Sequence, residues 1–380
     1  MKIFKFLRAV NKYFSRYQPD IEILVSKNNL LYNLAQFKSH YPKLAFAPVL
    51  KSNGYGHGLA PVARVLDREE IPFFIVDSLY EAMVLRHEGI KTKVLVIGYT
   101  GAANINSCNL SKVVFAITSL EQLQQVAAII TKPITIHLKL DTGMRRQGIL
   151  NDQIEAAAKI IRDCPRLRLE GVCSHLADAD NPDSSFTRTQ IKEWGELVKK
   201  FKENFSSIKY YHLSATAGVY YADDISVNVA RLGLGLYGIN PSPFLKLDLR
   251  PALKMQSVIS SVKNIQAGDC VGYNNTYKAD KPIKIVSTPV GYFEGVDRRL
   301  SNRGFLKIGE NFCPIIGRVS MNITTVDASA LAEVKLGDKV TVISNIKEDL
   351  NSVENLAKLA QTIPYEILVH IPQHLRRLIV

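Results

Sequence analysis

Short apolar runs rich in β-branched and aromatic residues recur along the first two thirds of the chain. They fall at 45–50 (AFAPVL), 72–76 (PFFIV), 93–98 (KVLVIG), 113–117 (VVFAI), 133–139 (PITIHLK), 168–174 (RLEGVCS), 208–213 and about 228–237. Between them lie segments of helical periodicity, at 78–88, 119–130, 151–163 and 187–203. Near-continuous apolar strands alternating with helices predict a parallel sheet covered on both faces. Eight such units in about 200 residues fit a (β/α)8 TIM-like barrel better than an open sheet, for which about six strands would be usual.

After Pro241 the texture changes. From about residue 250, VISSVKNI, KIVSTPV, PIIGRVS, ITTVD and KVTVIS read as antiparallel strands joined by glycine-containing turns, with one helix near 352–361. The expected organisation is an N-terminal extension over 1–20, an α/β barrel over 21–245, and a mostly β C-terminal domain over 246–380. The first residues of the barrel segment are candidates to pair with the β domain.

Composition narrows the function classes. At 47% hydrophobic and 22% charged residues the chain reads as ordered almost throughout. Five cysteines stand singly, with no histidine at metal-ligand spacing, so a reduced, cytoplasmic protein without a structural metal is expected. The net charge of +13 is concentrated at one end: MKIFKFLRAVNKYFSR holds Lys2, Lys5, Arg8, Lys12 and Arg16 and no acid. Removing these five charges from +13 leaves +8 over 364 residues, with no basic-aromatic stripe, which argues against nucleic acid as a partner. Ile3, Phe6, Leu7, Val10 and Phe14 fall at helical spacing in the same segment. It reads as an amphipathic extension docked on its own domain or on a partner subunit, with weak membrane-surface contact through residues 1–16 as the alternative.

Strand order gives the chemistry an address, because barrels of this kind form active sites at the carboxyl ends of their strands. Lys51 ends the first expected strand, Lys139 the fifth, His175 the sixth and His212 the seventh. Taken singly, such lysines are usually solvated and such histidines usually structural. Several at one rim point to a site. A lysine partly desolvated near other cations loses its proton more readily, and its neutral amine attacks carbonyls. Gly54, Gly56 and Gly58 after Lys51 permit a tight backbone path and close ligand approach.

The stretch VLKSNGYGHG, residues 49–58, resembles the pyridoxal-phosphate signature VxKANAYGHG of the alanine racemase family. The likeness continues along nearly the whole chain after residue 20. IHLKLDTGMRRQGI, EGVCSHLADAD, ARLGLGLYG, VGYNNTY, PVGYFEGVDRR, GRVSMN and IPYE each resemble a family element. The resemblance implies pyridoxal 5'-phosphate carried on Lys51, with His175 against the pyridine ring and Arg231 at its nitrogen. It also implies Tyr55, Thr216, Tyr365 and the backbone of Gly233 and Leu234 around the cofactor. Arg146, the backbone of Met321 and Tyr292 would serve a small amino-acid substrate, and Lys139 falls on a lysine that is often carbamylated.

Two bases are implied, Lys51 and Tyr273, the tyrosine reaching across a homodimer interface. A tyrosine hydroxyl is a poor base at neutral pH, so neighbouring positive charge has to stabilise its phenolate. The implied activity interconverts L-alanine and D-alanine, supplying D-alanine for peptidoglycan. A serine or broad-specificity racemase, and a non-catalytic pyridoxal-phosphate-binding protein, are the alternatives. Four positions depart from the family pattern: Arg145 and Asn274 where glycine is usual, Ala215 in place of asparagine, and Asn322 in place of aspartate.

Overall fold

The structure is a computed structural model that describes residues 18–380. The basic segment 1–16 lies outside the described residues. Two compact units are present, one over Ser26–Ala252 and one formed by Leu253–Val380 together with the segment ending at Val25.

Strand β1, Glu22–Val25, belongs to the second unit, where it pairs antiparallel with Leu253–Val258 and parallel with Arg377–Ile379. Its alternating half-buried and buried positions fit a strand with one face on a core. The barrel unit contains β2 (Ala45–Pro48), β3 (Phe74–Val76), β4 (Val94–Val96), β5 (Val113–Ile117), β6 (Ile134–Lys139), β7 (Leu167–Cys173), β8 (Tyr210–His212) and β9 (Val229–Leu232). Strands β3 to β8 pair parallel in sequence order, and β2 pairs parallel with β9. A bridge from Val49 to Ile75 joins β2 to β3, and hydrogen bonds from Arg231 to Ser214 and from Asn228 to Tyr211 join β9 to β8, closing the barrel. All eight strands are there as expected, but the eighth is shorter: after Leu232 the glycines of GLGLYG turn the chain into a 3-10 segment, Leu234–Tyr237.

The helices between strands are set by ordinary end signals. Ser78 opens the helix Leu79–His87 and Ser119 opens Leu120–Ile129, each accepting a hydrogen bond from the third helical N–H. The barrel unit runs on past residue 245, because buried Asn33 on the helix Lys27–His40 donates to the carbonyls of Leu236 and Arg250 and accepts from the Arg250 N–H.

The second unit is mostly β. Besides a six-stranded sheet it holds a three-stranded antiparallel sheet of Ser261–Ile265, Ile283–Thr288 and Thr324–Asp327. Its helices are Val353–Leu359 and Pro364–Val369, one more than expected. The segment 316–320, read from PIIGRVS as a strand, is irregular, since Gly317 at φ 72° turns the chain away from its neighbour.

Candidate active site

The backbone before Lys51 is held on both sides. Val49 N–H donates to Leu232 O at 2.9 Å and Leu50 N–H to Ile75 O at 2.7 Å. Beyond Lys51 the chain makes a left-handed turn: Ser52, Asn53, Gly54 and Tyr55 have φ of 55°, 57°, 61° and 50°. Left-handed backbone costs a residue with a side chain roughly 1–2 kcal/mol, so the turn has to be held by specific contacts. Asn53 Oδ1 accepts from Leu59 N–H at 2.9 Å, and Asn53 O accepts from Gly58 N–H at 2.8 Å. Glu81 Oε1 accepts from Ser52 N–H at 2.7 Å, while Oε2 accepts from Asp77 N–H at 2.7 Å.

A set of cations converges at the carboxyl ends of the strands. Lys139, at the end of β6, is buried and donates to Gln147 Oε1 at 2.9 Å. Burial lowers its pKa, and the charges of Arg231, Arg146 and Lys51 push the same way against an opposing influence of Cys173. His175 follows β7 and is held neutral, well below the ordinary histidine value, by burial and then by Arg231, Arg146, Lys139 and Lys51. These four cations therefore act on one imidazole. Arg146 itself is exposed.

Arg231 in β9 is the most constrained of them. Its Nη1 donates to His212 O at 2.7 Å and faces His212 Nδ1 at 3.1 Å. Its Nη2 donates to Ser174 O and Leu213 O, both at 2.8 Å, and faces His175 Nδ1 at 2.7 Å. Nε is the one guanidinium nitrogen without a hydrogen bond among the described residues, so this buried side chain keeps a donor for an external acceptor.

Beside it, Thr216 Oγ1 accepts from Gly233 N–H at 3.1 Å and Gly235 N–H at 3.3 Å, which leaves its own O–H to donate. In this structure the Gly233 N–H is held by Thr216. No hydrogen bond is made by the Leu234 N–H among the described residues. A Cβ on Gly233 would lie 3.1 Å from the Tyr55 hydroxyl, so glycine is what lets Tyr55 close on this turn. A free guanidinium Nε–H, a neutral imidazole, and hydroxyl and N–H donors on one rim suit a phosphorylated pyridine cofactor.

Tyr273, Tyr292, Met321 and Tyr365 all lie in the β unit and are exposed, Tyr273 by 68%. Within that unit the segments carrying Tyr292 and Met321 are joined, because Tyr292 N–H donates to Ser320 O at 3.0 Å and Phe293 N–H to Met321 O at 2.9 Å. Two departures from the family pattern have conformational accounts. Asn274 takes φ 61°, a region asparagine tolerates better than most residues, and Arg145 takes φ 55° where glycine would be unstrained. Asn322 Nδ2 donates to Glu294 Oε1 at 2.6 Å, so its amide holds a buried carboxylate. Two carboxylates at that distance would repel. Nothing in the structure explains Ala215.

Several supporting residues escaped the sequence reading. Glu81 had a legible signal, the Ser-x-x-Glu capping box at 78–81. Gln190, wholly buried, accepts from Ala177 N–H at 2.8 Å and donates to His175 O at 3.2 Å; one helical glutamine among many carries no such signal.

Fold and site together define a pyridoxal-phosphate enzyme of the barrel class. Residues 25–241 match the family described as alanine racemase, N-terminal domain, and residues 252–379 that described as alanine racemase, C-terminal domain. The chain is 34% identical to the alanine racemase of Sorangium cellulosum, covering 87% of this chain and 90% of the relative. It is 33% identical to that of Carboxydothermus hydrogenoformans, covering 94% and 98%. Among solved structures, the alanine racemase of Clostridium difficile 630 superposes with a TM-score of 0.89 at 27% identity, covering 96% and 97%. The chain belongs to the alanine racemase family, whose members are pyridoxal-phosphate-dependent isomerases acting on alanine.

Proposed function

We propose that this enzyme racemises alanine with Lys51 and Tyr273 as its two bases, one on each face of the substrate's α-carbon. The convergence of Lys51, Arg146 and Arg231 on His175, whose Nδ1 faces Arg231 Nη2 at 2.7 Å, carries this reading. Pyridoxal phosphate, when bound, supplies a conjugated ring that stabilises negative charge at that carbon. Lys51 would anchor it covalently, and its Nζ then takes or returns the α-proton from its own side. Tyr273 acts from the opposite side, contributed by the second subunit of a homodimer.

Arg231 would offer its Nε–H to the ring nitrogen without surrendering its proton, because a guanidinium stays charged, which would favour reprotonation over side reactions. His175 would lie against the ring as a neutral imidazole. Tyr55, Thr216, Tyr365 and the Leu234 N–H hold the phosphate, while Arg146 and the Met321 backbone hold the substrate carboxylate and Tyr292 lines its access. Lys139 carries a carbamate that orients Arg146 through a charge-assisted pair. The place of action is the cytoplasm, where D-alanine is supplied for peptidoglycan.

Deuterium incorporation at Cα of L-alanine, with D-alanine formed in parallel, tests the reaction; no exchange with any small amino acid sinks it. Borohydride trapping followed by peptide mapping tests the anchor, and a label anywhere but Lys51 removes the central assignment. Comparing catalytic efficiency for alanine and serine separates alanine racemisation from a serine or broader preference.

A further inference from the structure

Beneath Arg231 the barrel interior holds a continuous line of buried polar side chains. Arg231 Nη1 faces His212 Nδ1 at 3.1 Å, and His212 Nε2 faces His137 Nδ1 at 2.8 Å. His137 Nε2 then faces Glu170 Oε2 at 3.6 Å, and neither of these two atoms has another partner. Lys93 Nζ donates to Glu170 Oε1. Both imidazoles are buried, and Phe73 packs edge-on against His137 with centroids 5.4 Å apart.

The backbone is shaped to place Glu170 there. Strands β6 and β7 pair Ile136 with Leu169 but His137 with Gly171, so Glu170 is the extra residue of a β-bulge. Bulges re-aim side chains. A Cβ on Gly171 would stand 2.7 Å from the His137 ring, so glycine at this position makes room for the imidazole.

The two ends of the line dictate its proton positions. A guanidinium only donates and a carboxylate only accepts. With Arg231 donating to His212 Nδ1, that ring's proton must sit on Nε2 and point to His137 Nδ1. The proton of His137 then sits on its own Nε2, aimed at Glu170. A neutral imidazole has one donor and one acceptor, so each ring passes the constraint to the next.

We infer that Glu170, acting through His137 and His212 in their Nε2–H tautomers, is a positioning residue that holds Arg231 with Nε toward the cofactor. This rests on the assignment of Arg231 to the ring nitrogen made above. Lys93 sharpens the inference, because its ammonium requires an oxygen at the Oε1 position. In Glu170→Gln the amide oxygen stays with Lys93, and the amide NH2 faces His137 Nε2. Both tautomers must then reverse, which leaves His212 Nδ1–H against an Arg231 donor.

The test is 15N NMR of histidine-labelled, pyridoxal-phosphate-loaded enzyme at pH 8. In the wild type both His137 and His212 are expected to show a protonated Nε2 and a pyridine-like Nδ1, a measurement that needs no variant to fold. In E170Q the pyridine-like signal shifts to Nε2 in both rings. In E170Q with Lys93→Met the amide is free to turn, and the wild-type pattern returns. A different wild-type pattern, or an unchanged pattern in E170Q, overturns the inference. Expected tautomers in a protein that fails to racemise would leave this inference standing and refute the proposed function instead.

Discussion

Glu81 Oε1 lies 2.7 Å from the Ser52 nitrogen, so the carboxylate that caps the helix Leu79–His87 also fixes the peptide that follows Lys51. One side chain thus couples helix stability to the position of Lys51. Glu81→Ala should cost about 1 kcal/mol in stability through the lost cap. It should also weaken pyridoxal-phosphate binding, because the left-handed turn loses an external hold. Glu81→Gln keeps an acceptor and should bind the cofactor more tightly than the alanine variant. Thermal melts and cofactor titration separate the two effects; a lower Tm with unchanged cofactor affinity in Glu81→Ala would contradict the coupling.

Arg145 is held at φ 55°, with a long ion pair from its exposed guanidinium to buried Asp141 at 3.9 Å. Relief of left-handed strain is worth roughly 1–2 kcal/mol, and glycine's greater unfolded-state entropy offsets roughly 0.5–1 kcal/mol of it. Arg145→Gly should therefore stabilise the protein by up to about 1 kcal/mol, while Arg145→Ala, which keeps the strain, should not. Urea unfolding of the two variants decides this, and a clear destabilisation by glycine would be the contrary result.

Acid stability should fall in two stages. Burial and neighbouring cations keep His175 and His212 well below the ordinary histidine value, so the unfolded chain binds more protons than the folded one below about pH 6.5. Stability then declines as pH drops through that point. Burial alone would raise the Glu170 carboxyl, but His137 and Lys93 outweigh it and hold it down at about 2 against an ordinary 4.5. Its contribution is complete above the unfolded value and is lost as pH falls from about 4.5 toward 2. The second decline, on the order of 2–3 kcal/mol, should be absent in Glu170→Gln. Equal acid unfolding curves below pH 4.5 would refute it.

Lys139 combines burial, a depressed pKa and a hydrogen bond to Gln147, so a neutral amine is available to react with carbon dioxide. The reaction forms an N–C bond and releases one proton. With 13C-labelled bicarbonate the enzyme should show a carbamate resonance that Lys139→Arg lacks. A spectrum identical in the two proteins would mean that Lys139 stays an amine.

The barrel was largely readable from pattern, because parallel strands covered on both faces must be apolar along their length, and eight of them alternate with helices. The short eighth strand and the irregular 316–320 segment were not, since glycine permits turns that apolar content conceals. At the site, Lys51, Lys139, His175 and Arg231 were legible as strand-end residues and through the family motifs. Glu170 and His137 lie in the same quoted stretches, yet their meeting depends on a bulge between β6 and β7 that shifts one side chain inward. Asn322 read only as a departure from aspartate, and its bond to Glu294 shows in the folded chain alone.

The sequence by itself determined the strand order, the residues at the carboxyl ends, and the type of chemistry those residues carry. These follow from local pattern and from side-chain identity, which the chain displays directly. Only the tertiary structure decided which donor is used and which is left over: Gly233 bonds Thr216, and Arg231 keeps Nε, because five other contacts from distant strands occupy its remaining nitrogens. Hydrogen-bond saturation is a property of the packed barrel, since each polar atom's partner lies tens of residues away along the chain.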